Sequence, residues 1–359
     1  MKQFFFPWKK GLSGQLSEKH RNEVLAFARD QFHVEHFEDR QRLVDSSNLK
    51  SIAERSPEDC LVLASEFYRH KDSLRALEFG FAGLALNPKD KRVRASLINC
   101  LGTTFLSNGA MDLALENFER AISLDPNNPD PLYHIGELYY NQGRFEEAEI
   151  KLMEVVQIDP MNPEYHFQLG RVMLSRKFFN RAEAEFQETG RLDPSRIDNW
   201  LQLSYLYMEQ KKYHQALESL ERASELVPED PEPYIQMGRA QFKLNNPAVA
   251  KEHLKEAKQL DPKNGEICNL LGDVYFEEKS FFQAESEYLE TVSLCPEHGP
   301  AHKNLGHVYF EQKKYEKAEK YFQKSILLDP SIAIPLIKIR IRPKERKQPP
   351  QSPEAASQV

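Results

Sequence analysis

The sequence lacks several features that would place it in common protein classes. It has only 4 cysteines in 359 residues, too few for a disulfide-stapled fold, which fits a reducing compartment such as the cytoplasm. No window approaches about 18 uncharged apolar residues, so the sequence excludes a membrane-spanning helix. The apolar run Phe4–Trp8 ends at two lysines and is too short for a signal-peptide core.

Proline, by contrast, is present in 22 copies, and many of these copies are regularly spaced. Seven prolines are separated by 34 residues each time: Pro126, Pro160, Pro194, Pro228, Pro262, Pro296 and Pro330. Such a period indicates a repeat architecture. An earlier copy ends at Pro88, and four extra residues, 91–94, separate it from the next copy. They amount to about one helical turn and can lengthen a helix.

Small residues recur inside each copy. With the repeated proline counted as position 32, position 8 carries Gly102, Gly136, Gly170, Ser204, Gly238, Gly272 and Gly306. Position 20 carries Ala114, Ala148, Ala182, Ala216, Ala250, Ala284 and Ala318. Positions 4, 7, 8 and 11 form one helical stripe, and positions 20, 24 and 27 form another. The sequence therefore predicts two helices per copy whose backbones approach closely, with the second helix ending just before the proline.

These residues resemble a known repeat. The segment Trp200-Leu-Gln-Leu203-Ser204-Tyr-Leu-Tyr207, followed by Ala216, Leu220 and Pro228, is similar to the tetratricopeptide repeat, with Ser204 in place of glycine and Leu220 in place of phenylalanine. The resemblance implies an all-α fold, a right-handed superhelical solenoid of about eight helix-turn-helix repeats. The eight copies are 57–90, 95–128, 129–162, 163–196, 197–230, 231–264, 265–298 and 299–332.

Charge is distributed unevenly around this array. The formal net charge is −7, with 10 basic against 8 acidic residues in 1–56 and 6 against 2 in 331–359, so the repeats carry −13. Because nucleic-acid affinity depends on neutralising phosphates, an acidic array is a poor nucleic-acid binder. Basic or apolar protein or peptide partners are favoured.

The resemblance also implies that the first helix of each pair lines a concave groove. Position 6 on these helices carries amides, Gln168, Gln202, Gln236 and, after a leucine in the intervening copy, Asn304, which could bind the backbone of an extended peptide. Beside them stand the other predicted partner-binding residues, Tyr133, Phe167, Arg171, Tyr205 and Arg239. Ordinary surface amides and inter-helix packing are the alternatives. Acidic residues at position 2 either form a rim of the groove or interact favourably with the helix dipole. They are Glu58, Asp130, Glu164, Asp198, Glu232 and Glu266.

No catalytic or metal constellation stands out. Walker-type, G-x-S-x-G and H-E-x-x-H motifs are absent, and 56 and 27 residues outside the repeats are too few for a conventional catalytic domain. We therefore predict no enzyme activity and no cofactor. Cys295, His298, His302 and His307 have zinc-like spacing, but their repeat positions separate them, and no metal site is predicted. Cys268 occupies position 4 and is expected to be buried.

The two ends of the chain differ from the repeats. Residues 1–56 are predicted to cap the array with helices near 18–32 and 41–55, while Phe4–Phe6 and Trp8 offer an alternative peripheral contact with a membrane. Residues 333–359 form a basic tail whose isoleucines alternate with lysine and arginine at 337–342. That pattern predicts an extended strand that folds onto the acidic array or binds a partner, or else a loosely docked tail.

The combined expectation is a non-catalytic scaffold that binds a peptide or partner segment in its groove. A regulatory or assembly subunit of an enzyme, secretion or envelope complex is the alternative. Self-assembly into a homo-oligomer is a further one.

Overall fold

A computed structural model describes residues 55–332, and the two predicted end segments, apart from Arg55 and Ser56, lie outside them. The described chain contains sixteen α-helices followed by a short 3-10 turn, Pro330–Ile332, and no strand. The prediction of an all-α fold is therefore confirmed for this part of the chain. Contacts divide the chain after Pro194 into two units, each with four helix pairs.

The first unit holds helices α1 to α8. Their bounds are α1 Pro57–Arg69, α2 Ser73–Ala85, α3 Lys91–Ser107, α4 Met111–Leu124, α5 Pro129–Asn141, α6 Phe145–Ile158, α7 Pro163–Ser175 and α8 Phe179–Leu192. The first helices of the other pairs have 13 residues, whereas α3 has 17. The four extra residues therefore lengthen this helix by about one turn, as predicted.

The second unit repeats the same pattern. Its helices are α9 Ile197–Glu209, α10 Tyr213–Leu226, α11 Pro231–Lys243, α12 Pro247–Leu260, α13 Gly265–Glu277, α14 Phe281–Leu294, α15 Gly299–Glu311 and α16 Tyr315–Leu328. In both units the two helices of a pair pack against each other, and most second helices contact the first helix of the next pair. No helix within residues 55–332 is long and apolar enough to cross a membrane.

The small residues at positions 8 and 20 explain how each pair packs. A Cβ atom on Gly102 would lie 2.6 Å from Cε1 of Phe118, and one on Gly238 would lie 2.6 Å from Cγ of Leu254. The position-20 alanines are completely buried. Close approach of the two helices therefore depends on the missing side chain at position 8, as the sequence predicts.

Helix starts and turns follow local chemistry. An asparagine or aspartate at position 34 caps several first helices by accepting from the backbone N–H two residues later, as Asn162 does for Glu164 at 3.0 Å. The turn inside each pair always has a left-handed residue at position 15. It is glycine in Gly109 and Gly143, asparagine in Asn245 and lysine in the remaining copies. Side-chain capping and this left-handed turn together set the helix boundaries.

Candidate functional site

The first helices of each unit share one face, which we call the first-helix face. In the first unit α1, α3, α5 and α7 contact one another in succession, and in the second unit α11 contacts α13 and α13 contacts α15. Every predicted partner-binding residue lies on a first helix: Tyr133 on α5, Phe167, Gln168 and Arg171 on α7, Gln202 and Tyr205 on α9, and Gln236 and Arg239 on α11.

In the first unit, three of these residues and an acidic position-2 residue form one network. Glu164 Oε1 accepts hydrogen bonds from the Tyr133 hydroxyl at 2.9 Å and from Gln168 Nε2 at 2.8 Å. Arg171 Nη1 then donates to Gln168 Oε1 at 2.9 Å, and its guanidinium lies 4.6 Å from the centre of the Tyr140 ring. Both ends of the Gln168 amide are thus bound within the unit.

In the second unit a related network forms around Glu232. Its Oε1 accepts from the Tyr205 hydroxyl at 2.5 Å and from Gln236 Nε2 at 2.9 Å. Arg239, however, donates to Glu266 of the next repeat instead of turning back to the amide. Within the described chain, Gln236 Oε1 therefore accepts no hydrogen bond.

Burial and the carboxylates perturb the tyrosines of both networks. Burial, reinforced by the neighbouring carboxylates, raises the pKa of Tyr133 and the pKa of Tyr205 well above the ordinary tyrosine value. Both hydroxyls consequently stay protonated and act as donors. Each carboxylate at the centre of a network therefore stays oriented by neutral donors.

Burial differs among the predicted residues. Gln168, Gln236 and Phe167 are buried residues, exposed by 8%, 7% and 5%, whereas Gln202 is half-buried. Phe167 packs against Phe186 with ring centroids 5.9 Å apart, so the packing alternative describes this residue. Gln202 forms no hydrogen bond with any other residue in 55–332. The role of these residues in partner binding stays a prediction.

A second polar group on this face joins Asn304, a position-6 amide, to Asp273, which the sequence pattern did not single out. Asp273 on α13 accepts through Oδ1 from the Tyr288 hydroxyl at 2.7 Å and from Asn304 Nδ2 at 2.9 Å. Asn304 also lies 3.4 Å from Asn269 Oδ1. A signal was present, since position 24 is phenylalanine or leucine in the other aligned copies from residue 95 onward and tyrosine only at Tyr288, which requires a hydrogen-bond acceptor when buried.

The residues with zinc-like spacing have separate structural roles. The His298 side chain caps α15 by accepting from the backbone N–H of Ala301 at 3.0 Å. His302 bonds the carbonyl of Pro296, and His307 packs edge-on against Phe322. Cys295 is exposed at the end of α14. These contacts account for three of the four residues without a metal ion.

Another group has ligand atoms close enough for a metal ion. Cys268, Glu287 and Glu290 place one ligand atom each within 4.8 Å of one another. Lys258 Nζ already lies 2.7 Å from Glu287 and 2.8 Å from Glu290, so an ammonium supplies the positive charge there. Burial raises the pKa of the Cys268 thiol to about 11, which disfavours the thiolate that a metal requires. The group is therefore better described as a half-buried ion-pair cluster beside Cys268, which is buried as expected.

The chain matches four descriptions of one repeat family. Tetratricopeptide repeat models match residues 105–169, 231–264 and 299–332, and a TPR repeat model matches 205–245. Together with the helix pairs and their buried small residues, these matches confirm that the chain is a tetratricopeptide repeat protein. Proteins of this family generally mediate protein–protein interactions.

Individual relatives are more distant. Photosystem I assembly protein Ycf3 from Prochlorococcus marinus (strain MIT 9215) is 33% identical over 76 residues, which is 21% of this chain and 43% of that protein. The chain thus spans less than half the length of this curated relative. The C-terminal part of a TPR repeat-containing protein from Cytophaga hutchinsonii superposes with a TM-score of 0.55 at 15% identity, over 64% of this chain and 95% of that one. Pseudomonas aeruginosa PilF has a TM-score of 0.49 at 20% identity, over 56% and 92% of the two chains. The likeness to the Cytophaga hutchinsonii structure concerns the fold alone.

Proposed function

We propose that the protein is a non-catalytic scaffold that binds an extended segment of another polypeptide on its first-helix face. The observation that carries this proposal is the set of amide atoms that the second unit leaves unbonded on this face. Gln202 is half-buried without a hydrogen-bond partner, and Gln236 presents Oε1 without a donor among the described residues. An extended backbone supplies the donors and acceptors that these amides lack.

The surrounding side chains would add affinity and selectivity. Tyr205 and Arg239 lie on the same face and belong to residue types that dominate binding energy in protein interfaces. The carboxylate of Glu232, whose hydrogen-bond donors are the neutral Tyr205 and Gln236, gives the face a negative charge that favours basic partners. The proposed partner is therefore a protein or peptide segment with basic or apolar side chains.

A photo-crosslinking experiment tests this proposal. A benzophenone amino acid placed at Gln202 is expected to crosslink a partner, which mass spectrometry would identify together with the contacted segment. The matched control carries the same group at Phe282, which is 80% exposed on a second helix of the same unit. Equal crosslinking from both positions, or crosslinking from Phe282 alone, would contradict the proposal.

A second candidate is membership in a larger assembly through the second helices. Ile150 is 57% exposed and Met153 is 37% exposed on α6, and Phe178, 40% exposed, follows in the next repeat. Arg181 contacts both Met153 and the Phe178 ring, which joins these side chains into one apolar patch. Replacing Ile150 and Met153 by lysine should abolish an assembly that uses this patch, as measured by sedimentation velocity, while leaving crosslinking from Gln202 intact.

A further inference from the structure

Two carboxylates of the second unit have the same kinds of hydrogen-bond donor. Glu285 on α14 accepts from the Tyr309 hydroxyl at 2.9 Å and from the Gln312 amide at 2.9 Å. Asp273 on the first-helix face likewise accepts from a tyrosine hydroxyl and from an asparagine amide. The two carboxylates differ in their burial, in the oxygens that accept these bonds and in the charges around them.

A cation accompanies Glu285. Lys314 Nζ lies 3.8 Å from its Oε2. Burial opposes ionisation of Glu285, but the hydrogen bonds and the nearby lysines outweigh it and lower the pKa of this carboxyl. Its negative charge is thus compensated inside the protein.

Asp273 has no such cation at ion-pair distance among the described residues. It forms no ion pair within residues 55–332, and Oδ1 receives both of its hydrogen bonds. Burial raises its pKa above the ordinary aspartate value, although Tyr288 donates to it and Lys303, His298 and Arg239 are near enough to oppose that rise. Arg239 is itself bound to Glu266. Asp273 Oδ2 therefore lacks a donor among the described residues.

Three other buried or half-buried carboxylates outside the first-helix face share the pattern of Glu285. Glu149 is paired with Arg176 and Arg181, Glu278 with Lys251, and Glu287 with Lys258. A carboxylate removed from water is costly unless a cation compensates it. Asp273 departs from this pattern at a position where the proposed partner would lie.

We propose that Asp273 receives the ammonium or guanidinium group of a lysine or arginine in the bound polypeptide segment. Asn304 Oδ1 accepts no hydrogen bond from the described chain and stands beside the carboxylate, so it supplies a second acceptor for a cation with several donors. This inference rests on the proposed function and adds a basic anchor residue to the partner. A lysine or arginine at one place in the segment would thus be selected over neutral residues.

Peptide pools test the anchor without knowledge of the natural partner. The probes are fluorescent, acetylated and amidated random peptides in which one central residue is fixed as lysine, arginine, glutamine or glutamate, and the full chain is titrated by fluorescence polarisation. The lysine and arginine pools are expected to bind about tenfold more tightly than the glutamine pool, with the glutamate pool weakest. Asp273→Asn should abolish this preference, because asparagine keeps an oxygen acceptor for Tyr288 but loses the charge. Glu285→Gln, which removes the matched carboxylate on α14, should preserve it.

The outcomes separate the two proposals. If photo-crosslinking from Gln202 succeeds but the pools bind without preference, or if the preference survives Asp273→Asn, the anchor is wrong and the proposed function stands. If neither a crosslinked partner nor any bound pool is found, the proposed function itself fails. A preference that is detectable only after deletion of residues 334–347 would show that the basic tail of the chain fills the site, and would overturn assignment of the cation to a partner. Circular dichroism of each variant verifies the fold.

Discussion

The two units carry the same kinds of side chain on their first-helix faces, but the hydrogen-bond networks of these side chains end differently. In the first unit Arg171 turns back to Gln168, and in the second unit Arg239, three residues after Gln236, reaches forward to Glu266. The neighbour at position 12 of the preceding repeat accounts for part of this difference. Arg171 stacks on Tyr140, whereas the residue at that position before Arg239 is Met208. The same glutamine–arginine spacing therefore gives a closed amide in the first unit, where the arginine donates to the glutamine oxygen, and an open amide in the second, where the arginine donates elsewhere.

The largest expected effect on the free energy of unfolding comes from a substitution at position 8. Gly170→Ala places a Cβ atom 2.7 Å from Cε1 of Phe186 in the first unit, and a buried ring cannot shift away easily. We expect a loss of about 2–3 kcal/mol in the free energy of unfolding. In the second unit Ser204 already carries a Cβ atom at this position, so Ser204→Ala should cost only about 1 kcal/mol, mainly through the lost hydrogen bond to the Leu201 carbonyl.

Urea denaturation monitored by circular dichroism measures both variants. Hydrogen exchange with mass spectrometry then shows whether protection is lost in α7 and α8 alone. A Gly170→Ala protein as stable as the Ser204→Ala protein would contradict the explanation of the position-8 glycines as sites of obligatory close approach.

The open and closed amides predict different binding losses. Gln236→Ala should weaken binding of the crosslinked segment, prepared as a synthetic peptide, by about tenfold, because Oε1 is available to it. Gln168→Ala should weaken binding less than about twofold, because Glu164 and Arg171 already bind that amide. Isothermal titration calorimetry gives the Kd values. Equal losses at the two positions would mean that the peptide displaces the internal bonds of the first unit.

Much of the fold follows from the 34-residue period, whereas the state of the site does not. Pro126 predicts the end of α4, which falls at Leu124, and Gly102 predicts the close contact with Phe118. Gln168 and Gln236 occupy equivalent positions, but the rotamer of a nearby arginine decides whether the amide is closed. Long side chains choose rotamers according to residues from adjacent repeats, and this choice leaves no periodic signal. Asp273 was missed for a related reason, because its environment combines Tyr288 with Asn304 of the next repeat.

The contrast between Asp273 and Glu285 predicts opposite pH effects on stability. Burial raises the pKa of Asp273 in the folded state above the ordinary value of 3.8. The free energy of unfolding therefore falls as pH rises from 3.8 through the raised pKa, because the folded state gives up its proton less readily than the unfolded chain. Asp273→Asn should therefore raise the free energy of unfolding at neutral pH by up to about 1 kcal/mol, and the gain should vanish below the ordinary aspartate value of 3.8. Glu285 has a lowered pKa, so Glu285→Gln should reduce stability at neutral pH and approach wild type as pH falls below 4.5.

Denaturant titrations at several pH values test both signs. A purely structural Asp273 would make Asp273→Asn destabilising at neutral pH, which would contradict the interpretation of this group as an uncompensated charge retained for binding. Stability gained together with lost selectivity is the combination expected of a functional residue.

The smallest expected effect concerns the turn inside each helix pair. Position 15 is Gly143 in one repeat of the first unit, with φ of 74°, and Lys211 in one repeat of the second, with φ of 59°. Lys211→Gly relieves a left-handed conformation that costs a residue with a Cβ atom about 1–2 kcal/mol. It also raises the conformational entropy of the unfolded chain, which lowers the free energy of unfolding by about 0.4–1 kcal/mol. The net expectation is a stabilisation of about 0.5 kcal/mol in urea denaturation. The reverse exchange, Gly143→Lys, meets no atom within 4 Å of the new Cβ, so backbone strain alone should destabilise the first unit by a similar amount. If both exchanges change stability in the same direction, the left-handed turn is not the source of the difference between these two turns.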